Sequence, residues 1–416
     1  MSSRQLRQSL ALLRTRRFGT FWVATLLSNI GFWAQEVAEP WLLLSIGASS
    51  FLVGLDAFVA DAPAWLLTLA GGYLADHYDR RRVITLFQSI QFLCPVLLVV
   101  LLLTGALHAW MVIALSLVVG VTDALSMPSY QSIVPSIVEP DQIPAGLALS
   151  STQYNLSRIL GPAVAGGLIA AVGVVGCFAI NAASYVPFIA VALWILPRRA
   201  RDAATQAATP AVRARVHPLA GMRVVLRDPF VRGALLLVFA TSLLGGPLIT
   251  FTPVLVRDGF GGGAGGFSLA IAAFGAGGLV GAGLLLALDP THDRRRFGAA
   301  CALGYAAIVV AAAIDPWPWA LPGLTFLGGA LLTISNTTAN TLLQATATPA
   351  IRGQTVGLYM LAIRGGMALG SLATGVATAT LGVRTALGID GGLAVVVVGV
   401  LGWQWTRSAR PAPPAA

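Results

Sequence analysis

Apolar segments long enough to cross a lipid bilayer recur along the whole chain, and they constrain its fold more than any other feature. A membrane-spanning helix needs about 20 mainly apolar residues. Windows of about this length lie at 19–45, 51–74, 83–104, 109–127, 143–171, 175–196, 229–256, 267–288, 297–314, 317–345, 353–381 and 385–405. Their apolar runs are continuous and lack the alternation of barrel strands, so we expect helices, which satisfy their own backbone hydrogen bonds in lipid. The sequence therefore predicts an all-α polytopic membrane protein with twelve transmembrane helices.

The composition supports lipid as the main solvent of the chain. Charged residues make up 10% of the 416 residues, against about 25% in soluble domains. The net charge is +10, but the arginines are scattered between apolar segments, so we expect no nucleic-acid binding. The three cysteines and four histidines are dispersed without metal-ligand spacing. We therefore expect neither a metal site nor a cofactor.

The distribution of arginine predicts the orientation. All but four of the 26 basic residues, every one an arginine, fall in segments that twelve spans would place on one side. Basic loops stay cytoplasmic, so we expect both termini in the cytoplasm of a bacterium and the chain in its inner membrane. The basic start precedes an apolar run too long for a signal peptide, which we interpret as an uncleaved first span.

The two halves of the chain are related. "DRRRV" at 79–83 returns as "DRRRF" at 293–297, each between the second and third windows of its half. Internal duplication is typical of secondary transporters. We expect two pseudo-symmetric six-helix bundles, with the segments 1–18 (cytoplasmic start), 19–196 (first bundle), 197–228 (cytoplasmic linker), 229–405 (second bundle) and 406–416 (cytoplasmic tail).

Several motifs resemble the major facilitator superfamily. "GGYLADHYDRRR" (71–82) resembles its signature loop between the second and third helices. "NLSRILGPAVAGG" (155–167) resembles the fifth-helix signature of drug–proton antiporters, and "RGQTVGLYMLAIRGGMALGSLATG" (352–375) is similar to their eleventh helix. Together with "PWLLLSIGASSFLVGL" (40–55), the pattern resembles most the branch of enterobactin exporters and macrolide efflux proteins. The resemblance covers about 19–405 and implies two bundles around a central cavity.

The resemblance also implies roles for the signature residues. The loop residues that match are Gly72, Leu74, Asp76, Arg80 and Arg81. Asp76 would lie against the N-terminus of the eleventh helix, where the helix dipole favours an anion, and Asp123 would pair with Arg80 in the same latch. The alternative is that this loop only fixes topology. In the fifth helix, the residues Gly161, Pro162, Gly166 and Gly167 would bend the helix and pack it on the opposite half.

Ionisable residues deep in the predicted spans are candidates for transport: Glu36, Glu39 and Asp61 for proton coupling, and Arg158 and Arg364 as their charge partners. Glu36 and Glu39 lie in the first window, Asp61 in the second, Arg158 in the fifth and Arg364 in the eleventh. Each costs about 2.5–3.5 kcal/mol at a helix centre. We expect an Asp61–Arg364 pair and an acid of the first helix facing Arg158, either purely structural or leaving one carboxyl, Glu36 or Glu39, to carry a proton.

Polar and aromatic residues at helical spacing suggest a substrate cavity. Asn336, Asn340 and Gln344 recur every four residues and would line a water-filled cavity or form hydrogen bonds between helices. Asn29 and Trp33 lie near the deep acids, where the tryptophan could stack on a planar ligand. These five side chains are our candidates for contact with a substrate.

We expect a monomeric secondary transporter rather than an enzyme, with a small-molecule substrate, protons and the lipid bilayer as its partners. No P-loop is present in the sequence, so an ion gradient would supply the energy. The expected activity is proton-coupled export, by antiport, of an amphipathic drug or siderophore through alternating access. The alternatives are uptake of a nutrient or lipid-like substrate by proton symport, a polytopic membrane enzyme, or a binding-only role.

Overall fold

The structure of the chain is a computed structural model that describes residues 11–139, 142–195, 228–287, 294–346 and 352–408. Throughout these residues the regular secondary structure is helical. The helices are α1 (Arg16–Ser45), α2 (Ser50–Asp61), α3 (Pro63–His77), α4 (Arg80–Leu103), α5 (Ala109–Gln131), α6 (Val134–Ile137), α7 (Ile143–Val172), α8 (Val174–Ile195), α9 (Pro229–Gly245), α10 (Pro247–Val254), α11 (Ala264–Ala287), α12 (Arg294–Ile314), α13 (Leu321–Thr346), α14 (Arg352–Leu381) and α15 (Val383–Arg407).

The helices match the apolar windows of the sequence. Ten helical segments within the described ranges are long and apolar enough to cross a membrane, which makes the chain a multi-pass membrane protein. The windows 19–45 and 317–345 are also helical, as α1 and α13, but are not among these ten. The predicted linker at 197–228 lies outside the described residues except for Asp228, whose side chain caps α9 by accepting from Phe230 N at 2.8 Å.

Two of the windows contain breaks that follow from proline. The second window divides at Ala62 into α2 and α3, because Pro63 has no N–H to continue the hydrogen-bond ladder. The seventh divides in the same way at Gly246, before Pro247, and then ends in a π-helical turn at Leu255–Gly259. Helix breaks and π turns often mark functional positions in membrane proteins.

The chain forms two compact units. The first comprises Met1–Ile46 and Ala62–Thr209, and the second comprises Gly47–Asp61 and Pro210–Ala416. The sequence-based division placed the whole second window in the first bundle. The structure instead groups α2 with the second unit, while α3, its continuation, belongs to the first.

Within the first unit, α1 packs on α7 and α8, α3 packs on α5, and α4 packs on α5 and α8. Aromatic rings cluster at one end of this unit: the centroids of Phe21, Tyr130 and Phe188 lie 6.0–6.3 Å apart, and Ile84 packs in the same cluster. The starts of α1 and α4 therefore meet the ends of α5 and α8, as expected for helices that alternate in direction.

The second unit shows the same alternation. At one end, Arg295 donates to the Ser408 carbonyl at 2.8 Å and lies over the ring of Phe230, which joins the starts of α9 and α12 to the end of α15. At the other end, Arg384 donates to the carbonyl groups of Ala313 and Gly259, both at 3.2 Å. The start of α15 is thereby tied to the end of α12 and to the π turn.

Candidate functional site

Helix α1 presents a half-buried stripe of mostly polar and aromatic side chains. Trp22, Leu26, Asn29, Trp33 and Glu36 are all half-buried and follow one another at spacings of three or four residues, so they lie on one helix face. The structure thus places three of the sequence candidates, Asn29, Trp33 and Glu36, on a common face.

The other acid of α1 has a different environment. Glu39 is buried at 8% exposure, and its Oε1 accepts a hydrogen bond from Ser116 of α5 at 2.7 Å. Gln35 is also buried and accepts from Asn181 of α8 at 2.7 Å. These bonds fix the rotation of α1 against α5 and α8, which leaves Glu36 on the half-buried stripe.

Helix α7 meets this stripe at Trp33. The guanidinium of Arg158 lies 5.4 Å from the centroid of the Trp33 ring, a cation–π contact. Tyr154 and Phe32 approach the same ring edge-to-face at 6.2 and 5.5 Å. The helices come this close because residue 161 is glycine: a Cβ there would collide with the Cβ of Trp33.

The remaining fifth-helix residues differ in their surroundings. Pro162 lies inside α7 and cannot donate to the carbonyl of Arg158, four residues earlier. Gly166 is buried, whereas Gly167 is exposed and a Cβ there would have no neighbour within 4 Å. The predicted contact of this motif with the opposite half stays a prediction, as does an acidic partner for Arg158.

The expected pairing of Asp61 with Arg364 is confirmed as a contact. Asp61 Oδ1 lies 3.6 Å from Arg364 Nη1, with side-chain exposures of 17% and 16%. About two turns before Asp61 in α2 and three turns after Arg364 in α14, the two helices touch directly, because a Cβ at Gly375 would lie 3.1 Å from the Cα of Gly54. The role of Asp61 in proton coupling stays a prediction.

Two further acids within the spans escaped the sequence reasoning. Asp56 of α2 is buried at 5% exposure. Asp390 of α15 accepts a hydrogen bond from Thr374 of α14 at 2.6 Å. Both interrupt apolar runs, "VGLDAFV" and "LGIDGGL", and that interruption was the signal that could have identified them.

The amide stripe of α13 is largely buried. Asn336 and Asn340 are 8% and 7% exposed, and the amide of Gln344 donates to Asn340 Oδ1 at 3.0 Å within the same helix. Tyr359 of α14 donates to the backbone carbonyl of Asn336 at 3.1 Å. This burial favours a packing role over the lining of a cavity, and contact with substrate stays a prediction.

The signature loop contains a helix cap that the sequence reasoning missed. Asp79 is the N-cap of α4, and its Oδ1 accepts from the backbone N–H of Arg81 at 2.9 Å. Arg80 is exposed and Asp123 half-buried, while a Cβ at Gly72 would meet nothing within 4 Å. The side chain of Asp76 lies outside the described part of the chain, so its latch role stays a prediction.

Two curated relatives share part of their length with this chain. The staphyloferrin A transporter of Staphylococcus aureus is 28% identical over 174 residues, 42% of this chain and 43% of that protein. The enterobactin exporter EntS of Shigella boydii is 28% identical over 258 residues, 60% of this chain and 57% of that protein. The chain thus spans about half the length of these relatives.

Solved structures show the same fold at low sequence identity. A bacterial homologue of the human lysosomal transporter Spinster, in an inward-facing and occupied conformation, superposes with a TM-score of 0.71 at 15% identity, covering 96% of this chain and 98% of that one. The nucleoside transporter NupG superposes with a TM-score of 0.60 at 12% identity, covering 94% and 99%. These neighbours establish the architecture.

The family assignment rests on nearly the whole sequence. The family model described as transmembrane secretion effector matches residues 7–409, which include both halves and the signature loop. This match agrees with the solved structures of the same fold and with the motifs of the sequence. The chain belongs to the transmembrane secretion effector family of the major facilitator superfamily.

Proposed function

We propose that the chain is a secondary transporter that exports a siderophore-like, amphipathic small molecule by alternating access. All twelve helical windows cross the bacterial inner membrane in this proposal, with both termini cytoplasmic, and the transporter acts as a monomer. Support comes from the family, from the two relatives, of which one is named as an enterobactin exporter and the other as a staphyloferrin A transporter, and from the arginine distribution.

The observation that carries the proposal is the half-buried stripe of α1 and its contact with α7. Glu36 lies 20 residues into a 30-residue helix, or about 30 Å along its axis at 1.5 Å per residue. A charged side chain at such depth is costly in lipid and normally faces a water-filled path. Glu36, Trp33 and Arg158 therefore suit the wall of a transport pathway.

Proton coupling belongs to the same proposal, and Glu36 is the best candidate for the carrier. Glu39 is buried at 8% exposure. Glu36 is more accessible than Glu39 and shares its face with the candidate substrate residues. A carboxyl in this position can exchange a proton with water that enters the pathway.

A two-stage experiment tests the proposal. Drug sensitivity and siderophore secretion are first compared between cells that lack the protein and cells that overproduce it, which identifies a substrate. The substrate-dependent proton movement of the purified, reconstituted protein is then measured for wild type, Glu36→Gln and Glu39→Gln. We expect Glu36→Gln to abolish proton movement and Glu39→Gln to retain it. Proton movement that persists in Glu36→Gln would remove Glu36 as the carrier.

A further inference from the structure

We propose that Trp33, Tyr154 and Arg158 form a binding subsite for a negatively charged, oxygen-bearing group attached to a planar ring. A carboxylate or catecholate on an aromatic nucleus is the chemical class that fits. This inference rests on the proposed function and deepens it by naming the charge and shape of the substrate.

The first argument is that this subsite offers hydrogen-bond donors without acceptors. A guanidinium carries five N–H donors and accepts none, and the contact that the structure gives Arg158 is the π face of Trp33. In the described part of the chain its N–H groups have no hydrogen-bond acceptor. The indole Nε1 of Trp33 is buried and lacks an acceptor in the same described residues. An oxyanion would supply the missing acceptors.

The second argument is the aromatic surroundings of the cation. Trp33, Phe32 and Tyr154 meet edge-to-face, so they form a rigid apolar wall beside the guanidinium. Rigid rings lose little conformational entropy when a flat ligand packs on them. The wall thus adds affinity for a planar ring that carries the anionic group.

The third argument is that the helix backbone that carries Arg158 is packed closely against Trp33. Close approach at Gly161 holds α7 against Trp33, and Arg158 precedes it by almost one helical turn on the same side. A cation that is already held at mid-span loses little conformational entropy when it binds an anion. It would repel a cationic ligand by the same field.

The experiment measures binding rather than transport. Wild-type protein in lipid nanodiscs is dialysed to equilibrium against labelled 2,3-dihydroxybenzoate, its neutral analogue 2,3-dihydroxybenzamide, or the planar cation ethidium. We expect the anion to bind about tenfold more tightly than the neutral analogue, the effect of one charge-assisted hydrogen bond. Equal binding of the two benzoyl compounds, or tighter binding of ethidium, would overturn the proposal.

Variants locate the site. Arg158→Gln should lose the preference for the anion, and Arg158→Lys should keep part of it. Arg16→Gln is the matched control, because Arg16 also lies over a tryptophan ring, that of Trp194 at 4.7 Å, but outside the stripe. An anion preference that survives in Arg158→Gln contradicts the proposal. If Arg158→Gln does not fold, Trp33→Phe provides the test. This variant should weaken anion binding severalfold, and unchanged binding would also contradict the proposal.

This design separates the two proposals. Binding of the benzoate that depends on Arg158 stands even when reconstituted protein fails to export anything. Conversely, export of a neutral or cationic compound with no Arg158-dependent anion binding leaves the proposed function in place and overturns this inference.

Discussion

Asp61 and Arg364 form an ion pair, with 3.6 Å between Oδ1 and Nη1, at the residue where α2 ends. The helix breaks immediately afterwards, and α3 begins at Pro63 in the other compact unit. The pair therefore secures α2 to α14 at the position where the second window changes from one unit to the other.

Removal of either charge of this pair should destabilise the protein. The partner left behind would be a poorly solvated charge, which costs about 3 kcal/mol. We expect lower midpoints of thermal unfolding for Asp61→Asn and for Arg364→Gln, and partial recovery in the double variant, which carries no charge at either position. Single variants as stable as wild type would show that the pair contributes nothing.

The hydrogen bond between Ser116 and Glu39 should be structural. Ser116→Ala removes a buried donor from the carboxylate and should cost about 1–3 kcal/mol. Glu39→Gln should cost less, because the amide oxygen can accept the same bond. Thermal unfolding of both variants in one lipid mixture checks this order, and a larger loss for Glu39→Gln would contradict it.

The two glycines of the fifth-helix motif should respond differently to a methyl group. Gly161→Ala forces a Cβ into Trp33 and should cost about 1–3 kcal/mol through overpacking. Gly167→Ala is the control, since its Cβ would meet no atom within 4 Å. Folded yield and unfolding temperature report the difference; equal behaviour of the two variants would disprove the close approach.

The latch assigned to Asp76 can be separated from the cap provided by Asp79. Asp76→Asn removes a charge and should slow transport with little loss of folded protein, because a dipole contact at a helix end needs the anion. Asp79→Asn is the matched control, since asparagine caps helices as well as aspartate does. Transport of an identified substrate decides the matter, and wild-type rates in Asp76→Asn would exclude the latch.

The sequence predicted where the helices lie better than it predicted how they group into compact units. Continuous apolar runs predict helices because lipid offers no partner to an exposed backbone group, and in the described residues every window contains helix. The break at Gly246–Pro247 was readable from the dipeptide itself. The grouping of α2 with the second unit was not readable, because it depends on which surfaces pack together.

The candidate site was predicted in its residues but not in their partners. Depth along the helices suggested Asp61 opposite Arg364, and the structure confirms that contact. Glu36 and Glu39 are three residues apart, so helical spacing alone could not show which of them is buried and which lies on the half-buried stripe. Only packing shows that Glu39 meets Ser116 and that Trp33 lies under Arg158.

Substrate accumulation in inverted membrane vesicles tests the account most directly. Vesicles from cells that produce the protein are energised by respiration, which makes their interior acidic and positive, and uptake of the identified substrate is followed over time. The account predicts accumulation that an uncoupler abolishes and that Glu36→Gln reduces to the level of vesicles without the protein. Uptake that does not depend on the proton gradient, or substrate that leaves the vesicles when they are energised, would contradict gradient-driven export.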